Sequence, residues 1–238
     1  MNILITGSKG FIGSNLKLFL IERGHTVLEY YKGSSLDSLS SNIENADQIV
    51  HLAGVNRSIS DEDFIESNIE LSKKLLELVL KNKRKIPIIF SSTIHSGRKD
   101  IYGQTKKVAN SLFEKFASEN QSPLTILNLP NVFGKWCRPN YNSVIATFCH
   151  KIARNEEIEI HDAKAEIKCV YIDDVLNLIY ETILAPPEGF LSKEIKTYEI
   201  EVGKLAKILY GFYELRDSHE ICSLTGLNKY LYSTYLSN

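Results

Sequence analysis

The chain has 238 residues, of which 43% are hydrophobic, 24% charged and 10% aromatic, a composition that excludes a disordered or fibrous protein and suffices for an unaided core. Lys and Arg number 28 against 29 Asp and Glu, a formal net charge of −1, so there is no basic excess for nucleic acid or an anionic membrane. Four cysteines without a CxxC pair and six histidines without HxxxH or HExxH read as reduced thiols and no metal site. No run approaches the ~18–20 apolar residues of a membrane span, and a cytoplasmic protein is expected.

In chain order, short apolar runs at 3–6, 27–30, 48–52, 86–91 and 124–129 read as strands, each too short for a helix and bounded by polar residues, Gly or Pro. Helical stretches at 11–23, 36–44, 61–80 and 101–118 alternate with them, the first closed by Gly24. Continuous apolar strands alternating with helices predict a doubly wound parallel sheet covered on both faces, an α/β fold of the Rossmann type. After Pro130 the rhythm changes. A helix is predicted over 140–155, a strand over 167–172, a helix capped by Asp173 or Asp174 through 183, and a break at Pro186, Pro187 and Gly189, after which the stretch 200–213 and a Tyr/Leu/Ser-rich tail follow. The expected domains are a nucleotide-binding one over 1–130, completed by 166–185, and a small substrate-binding lobe from 131–165 and 186–238.

Thr6-Gly7-Ser8-Lys9-Gly10-Phe11-Ile12-Gly13 follows the first strand and enters the first helix, the context of a dinucleotide fingerprint. Glycines there permit a tight turn and let a pyrophosphate approach backbone N–H groups at a helix N-terminus. At the end of the second strand an acidic residue favours a free ribose 2′-hydroxyl and a basic one tolerates a 2′-phosphate. Glu29 lies within this strand, whereas the tip carries Tyr31 and Lys32. NADPH is therefore the expected cofactor, with Lys32 near the phosphate; the alternative is a solvated surface lysine.

Tyr102-Gly103-Gln104-Thr105-Lys106 places a phenol and an ammonium four residues apart on one helix face. The ammonium is expected to lower the tyrosine pKa. Nine residues before Tyr102, Thr93 ends a strand, and a hydroxyl there points into the crevice where parallel sheets bind ligands.

These residues together resemble the extended short-chain dehydrogenase/reductase superfamily, the NAD-dependent epimerases and dehydratases. The resemblance rests on residues 7–13, Asp47-Gln48-Ile49-Val50-His51-Leu52-Ala53-Gly54, Asn68, Ser91-Ser92-Thr93, Tyr102 to Lys106, Asn128-Leu129-Pro130-Asn131 and Tyr171-Ile172-Asp173-Asp174. It implies that Thr93 is the catalytic hydroxyl, Tyr102 the acid/base, and Lys106 the residue holding the nicotinamide ribose. Asn68 takes the place of an active-site asparagine, Leu52, Ala53 and Gly54 line the cofactor, and Asn131 contacts a nucleotide sugar.

Residues 133–157, His51 to Arg57, the short gap from Thr93 to Tyr102, and the terminal Leu231-Tyr232-Ser233-Thr234-Tyr235-Leu236-Ser237 resemble one branch, the N-terminal reductase domains of CapF-type capsule and O-antigen enzymes. That likeness implies NADPH-dependent reduction of the C4 ketone of a UDP-2-acetamido-2,6-dideoxy-hexos-4-ulose. Substrate binding would then fall to Asn131, Lys135, Trp136, Arg138 and Tyr141: cations for a diphosphate, aromatic rings to stack on uracil or cover the sugar. Trp136 also reads as a packing residue, and Lys135 and Arg138 as surface charges. In that branch a metal-binding cupin domain follows and epimerises the sugar; this sequence ends at Asn238, so a short form, an interrupted gene or an excised domain is expected, with a separate epimerase and a homodimer as partners. Asn128 stands where many members carry arginine. The alternatives are an epimerase or dehydratase with bound NAD, and a silent NADPH-binding remnant.

Overall fold

The computed structural model describes residues 1–58, 60–215 and 224–238; Cys222 lies outside them. The strands are β1 (Asn2–Thr6), β2 (Thr26–Tyr30), β3 (Gln48–His51), β4 (Ile88–Thr93), β5 (Leu124–Leu129), β6 (Asn131–Phe133), β7 (Glu166–Tyr171), β8 (Phe190–Glu194) and β9 (Tyr198–Glu201). The helices are α1 (Phe11–Ile21), α2 (Leu36–Asn45), α3 (Asp61–Ile65), α4 (Leu71–Asn82), α5 (Ile101–Asn120), α6 (Val144–Ala153), α7 (Ile172–Leu184), α8 (Val202–Glu214) and α9 (Gly226–Leu236), with a π-helical turn at Glu66–Glu70.

Six strands form one sheet in the order β2-β1-β3-β4-β5-β8, every pair parallel. β3 and β4 are buried throughout, which is why their apolar residues, Ile49-Val50 and Ile88-Ile89-Phe90, are consecutive rather than alternating with polar ones. Leu4, Ile49, Ile88, Phe90, Phe113 and Ile126 share one core cluster, in which Phe90 and Phe113 stack with centroids 4.2 Å apart. The order turns back at β1, flanked by β2 and β3. Such a switch point opens a crevice at the carboxyl ends of the strands, where Thr6, His51 and Thr93 lie.

The structure divides into two units, Met1–Leu129 with Leu176–Ile195, and Pro130–Val175 with Lys196–Asn238. The first contains the six-stranded sheet. The second contains a sheet in the order β6-β7-β9, its first pair parallel and its second antiparallel.

Several elements differ from expectation. Residues 166–171, expected to complete the nucleotide-binding domain, pair instead with β6 and β9, and the sixth strand of the main sheet is β8. β8 reads Phe-Leu-Ser-Lys-Glu and is largely exposed at the sheet edge, so it lacks the apolar run that marks a central strand. The helix expected over 140–155 begins at Val144, because the Ser143 side chain accepts from the Ala146 N–H and caps it. Asp173 and Asp174 lie in the first turn of α7 rather than at its cap, where their charge suits the helix dipole. The single helix expected over 61–80 is interrupted by the π-helical turn, a feature common at functional sites.

Candidate functional site

The turn between β1 and α1 is held to the end of β2. Gly7 N donates to Tyr30 O at 2.7 Å, and Gly10 N donates to Gly7 O at 2.9 Å. Gly7 has φ +75°, and a Cβ there would meet Ala53 N at 2.8 Å; a Cβ on Gly13 would collide with Gly7 O. Only glycine fits this cradle. Gly10 caps α1 without a side chain, leaving the first N–H groups of the helix open to an anion, with Phe11 and Ile12 in the same turn. At the neighbouring tip of β2, Lys9 Nζ sits 3.4 Å from the centroid of the Tyr31 ring and Lys32 is exposed. Glu29 is already engaged by Lys17, which holds its carboxyl below the usual range. A cradle closed to any side chain, with cations at the strand tip, fits a nicotinamide dinucleotide.

Thr93 ends β4 and is buried. Its Oγ1 accepts from His95 N at 3.2 Å, and its side chain bears on the Tyr102 phenol, favouring the phenolate. Tyr102 lies in the first turn of α5, a helix capped by Asp100, whose Oδ1 accepts from Gly103 N at 2.8 Å. One turn on, the buried Lys106 donates from Nζ to Ser91 O at 2.9 Å, its ammonium 4.9 Å from the Phe90 ring. Burial pushes Lys106 down to about 8.

The expectation that Lys106 lowers the Tyr102 pKa is corrected here. Burial raises the phenol above its usual value, the Thr93 hydrogen bond only partly opposes this, and the charges that bear on it are those of Asp100 and Arg98. The ammonium is satisfied by a backbone carbonyl on the strand.

Asn68 is buried in the π-helical turn and uses its whole amide. Oδ1 accepts from Val55 N at 2.8 Å, while Nδ2 donates to Val55 O at 3.0 Å and to Thr105 Oγ1 at 3.1 Å. Asn68 therefore clamps the segment after β3, which contains Leu52, Ala53 and Gly54, to the turn of α5 between Tyr102 and Lys106. Sequence reasoning missed Ser91 and Thr105 as partners of this site, as well as Ser72 and the role of His51. A serine four residues after Asn68 and a histidine inside an apolar strand were the available signals.

The residues expected to bind substrate lie in the second unit. Asn131 Nδ2 donates to Lys168 O at 3.0 Å. Trp136 has φ +67° and is 54% exposed, so the alternative of a packing residue does not describe it. Lys135 Nζ lies 5.4 Å from its ring and Arg138 5.3 Å from the ring of Tyr141. Asn128, in the first unit, donates to Ser192 Oγ at 3.0 Å. Cys137, Cys149 and Cys169 are buried free thiols. Among the described residues no cluster of His, Cys, Asp or Glu is set to hold a metal, and no helix is long and apolar enough to cross a membrane.

Residues 3–195 match the NAD dependent epimerase/dehydratase family. Over its whole length the chain is 42% identical to a UDP-2-acetamido-2,6-beta-L-arabino-hexul-4-ose reductase of Pseudomonas aeruginosa, covering 64% of that protein. It is 28% identical to the CDP-abequose synthase of Salmonella muenchen over 92% of this chain and 78% of that one. Among solved structures it is similar to the capsular polysaccharide assembling protein CapF from Staphylococcus aureus, with 40% identity and a TM-score of 0.89 over 100% of this chain and 65% of that one. The chain thus spans just under two thirds of the length of the Pseudomonas and Staphylococcus proteins.

Proposed function

The chain belongs to the NAD dependent epimerase/dehydratase family, and from that premise we propose that it reduces the C4 ketone of a UDP-2-acetamido-2,6-dideoxy-hexos-4-ulose with NADPH, in the making of a capsule or O-antigen nucleotide sugar. The observation that carries the proposal is the buried Thr93 at the end of β4, its side chain bearing on the Tyr102 phenol, with the buried Lys106 one helical turn further along α5. NADPH, when bound, supplies the hydride that the protein itself lacks.

Tyr102, whose phenol is kept protonated by burial, donates its proton to the carbonyl oxygen as that oxygen gains charge. Thr93 hydrogen-bonds the same oxygen and stabilises the developing alkoxide. Lys106, the buried cation of the site, holds the nicotinamide ribose. Gly7, Gly10 and Gly13 receive the pyrophosphate at the start of α1, and Leu52, Ala53 and Gly54 line the cofactor.

The basic pair Lys9 and Lys32 at the strand tip supports a 2′-phosphate, and the ion pair with Lys17 occupies one oxygen of the Glu29 carboxylate that a free 2′-hydroxyl would seek. The printed name of the Pseudomonas relative supports the substrate class. Asn131, Lys135, Trp136, Arg138 and Tyr141 are assigned to the UDP-sugar, and a paired copy and a separate epimerase complete the reading. Dehydration is disfavoured because Thr93 is followed by Ile94 and His95, where a dehydratase places a carboxylate beside its catalytic hydroxyl.

The test is NADPH oxidation, followed by its absorbance, with freshly generated UDP-4-keto-6-deoxy-HexNAc. Consumption that disappears in Tyr102→Phe, with NADPH binding retained, is the expected result. Full activity in that variant, or no consumption by the wild type, refutes the reading.

A further inference from the structure

His51 is fully buried at the end of β3, its ring centroid 5.5 Å from that of Phe90 and 5.6 Å from that of Phe113. Both ring nitrogens are partnered. Nδ1 is 2.7 Å from Thr6 Oγ1, and Nε2 is 3.1 Å from Ser72 Oγ.

The proton count settles the form of the ring. Ser72 has a single hydroxyl proton and donates it to Asn68 O at 2.8 Å, so Nε2 must carry a proton and donate to Ser72. Thr6 Oγ1 accepts from Ala53 N at 3.2 Å, and its own proton goes to a bare Nδ1. Every bond then points the same way: Ala53 N–H to Thr6, Thr6 O–H to His51, His51 Nε2–H to Ser72, Ser72 O–H to the Asn68 carbonyl.

We infer that His51, neutral and protonated at Nε2, is a positioning residue that ties the segment after β3 at Ala53 to the π-helical turn, and so holds Asn68 where it clamps Val55 and Thr105. An imidazolium would leave the Thr6 proton without an acceptor at Nδ1. It would also place a second cation near Lys106, the charged group that faces it; burial and that charge push His51 down to about 3. The other neutral tautomer would take the Ser72 proton from the Asn68 carbonyl and leave the Thr6 proton without its acceptor at Nδ1. The chain of bonds is closed only in one form, and buried networks of this kind are rigid when fully satisfied. Asn68 in turn fixes Thr105, which sits between Tyr102 and Lys106, so the path runs from the cofactor-lining segment to the helix bearing both groups.

The inference rests on the proposed site for its functional meaning, but its test needs neither cofactor nor substrate, so the two can fail separately. Histidine-labelled protein is examined by nitrogen NMR at pH about 6 and about 8, on either side of the ordinary histidine range. His51 is expected to show the Nε2–H neutral pattern at both. In Ser72→Ala, the Val55 amide, which donates to Asn68 Oδ1, is expected to exchange with deuterium about tenfold faster, the effect of one weakened hydrogen bond. The Ile49 amide, bonded to Pro87 O, is expected to keep its protection. A proton at Nδ1, a titrating ring, or Val55 and Ile49 changing equally or not at all overturns the proposal. Where Ser72→Ala does not fold, the wild-type tautomer decides.

Discussion

The ammonium of Lys106 is bonded to the carbonyl oxygen of Ser91 at 2.9 Å, two residues before Thr93 on the same strand. The bond fastens the helix that presents Tyr102 to the strand that presents Thr93. It also buries a cation that is ion-paired with no carboxylate among the described residues, and the lowering of Lys106 to about 8 follows from desolvation.

A stability consequence follows. Lys106 titrates near 8 when folded, against an ordinary value of 10.5; between these the unfolded chain binds the proton and the folded one does not. Stability from this residue therefore rises as pH climbs from about 8 toward about 10.5, by up to roughly 3 kcal/mol, and below that window the cost of the buried cation is present in full. Urea unfolding of wild type and Lys106→Met, without added nucleotide, isolates the effect: the stability difference between the two should change by that amount in favour of wild type across the window. A constant difference would mean that Lys106 keeps its ordinary pKa.

Thr93 and Tyr102 act on one another. The Thr93 hydrogen bond lowers the phenol pKa against the effect of burial, so Thr93→Val should push the alkaline limb of the reductase pH profile upward. The rate on the plateau should fall by about tenfold to a hundredfold with loss of one donor to the developing oxyanion. A limb that stays in place would separate Thr93 from the titration of Tyr102.

Asn68 is more a clamp than a reacting group. Asn68→Ala removes three hydrogen bonds, leaving the Val55 N–H and C=O without this partner and Thr105 with its bond to Tyr102 O, at an expected cost of about 1–3 kcal/mol. The midpoint of urea unfolding measures it; an unchanged midpoint would mean that the two segments find other partners.

Cofactor choice is testable at the tip of β2. Lys9→Ala combined with Lys32→Ala should raise the NADPH dissociation constant by about tenfold or more and leave that for NADH nearly unchanged, because only the former carries the 2′-phosphate. Equal changes for both nucleotides would assign the two lysines to the pyrophosphate or to solvent.

Trp136 separates substrate binding from packing. With its side chain 54% exposed and its backbone at φ +67°, Trp136→Gly relieves a strained conformation and should leave the melting temperature unchanged or slightly higher. An increase in the substrate KM at constant NADPH affinity is expected. A large drop in melting temperature would return Trp136 to the core.

What could be read from the chain without its fold was local. The glycines at 7, 10 and 13 declare a tight turn because their spacing and the flanking strand and helix lie within a dozen residues, and Tyr102 and Lys106 share a helix face by the pitch of the helix alone. The central strands were legible because burial on both faces favours consecutive apolar residues such as Ile49-Val50 and Ile88-Ile89-Phe90. β8 was not, since an exposed edge strand needs none, and neither was the pairing of β7 with β6 and β9, since a strand's own residues do not name its neighbours.

The sequence by itself determined the parallel sheet, the cradle and the pairing of a phenol with an ammonium, all consequences of short-range geometry and of hydrophobic pattern. Only the tertiary structure decided the state of those groups. The partner of Lys106 is a carbonyl on another element, the rise in the Tyr102 pKa comes from burial, and the form of His51 is set by hydroxyls at Thr6 and Ser72, 45 and 21 residues away in the chain. Desolvation and hydrogen-bond partners are properties of assembled surroundings, and no spacing along the chain encodes them.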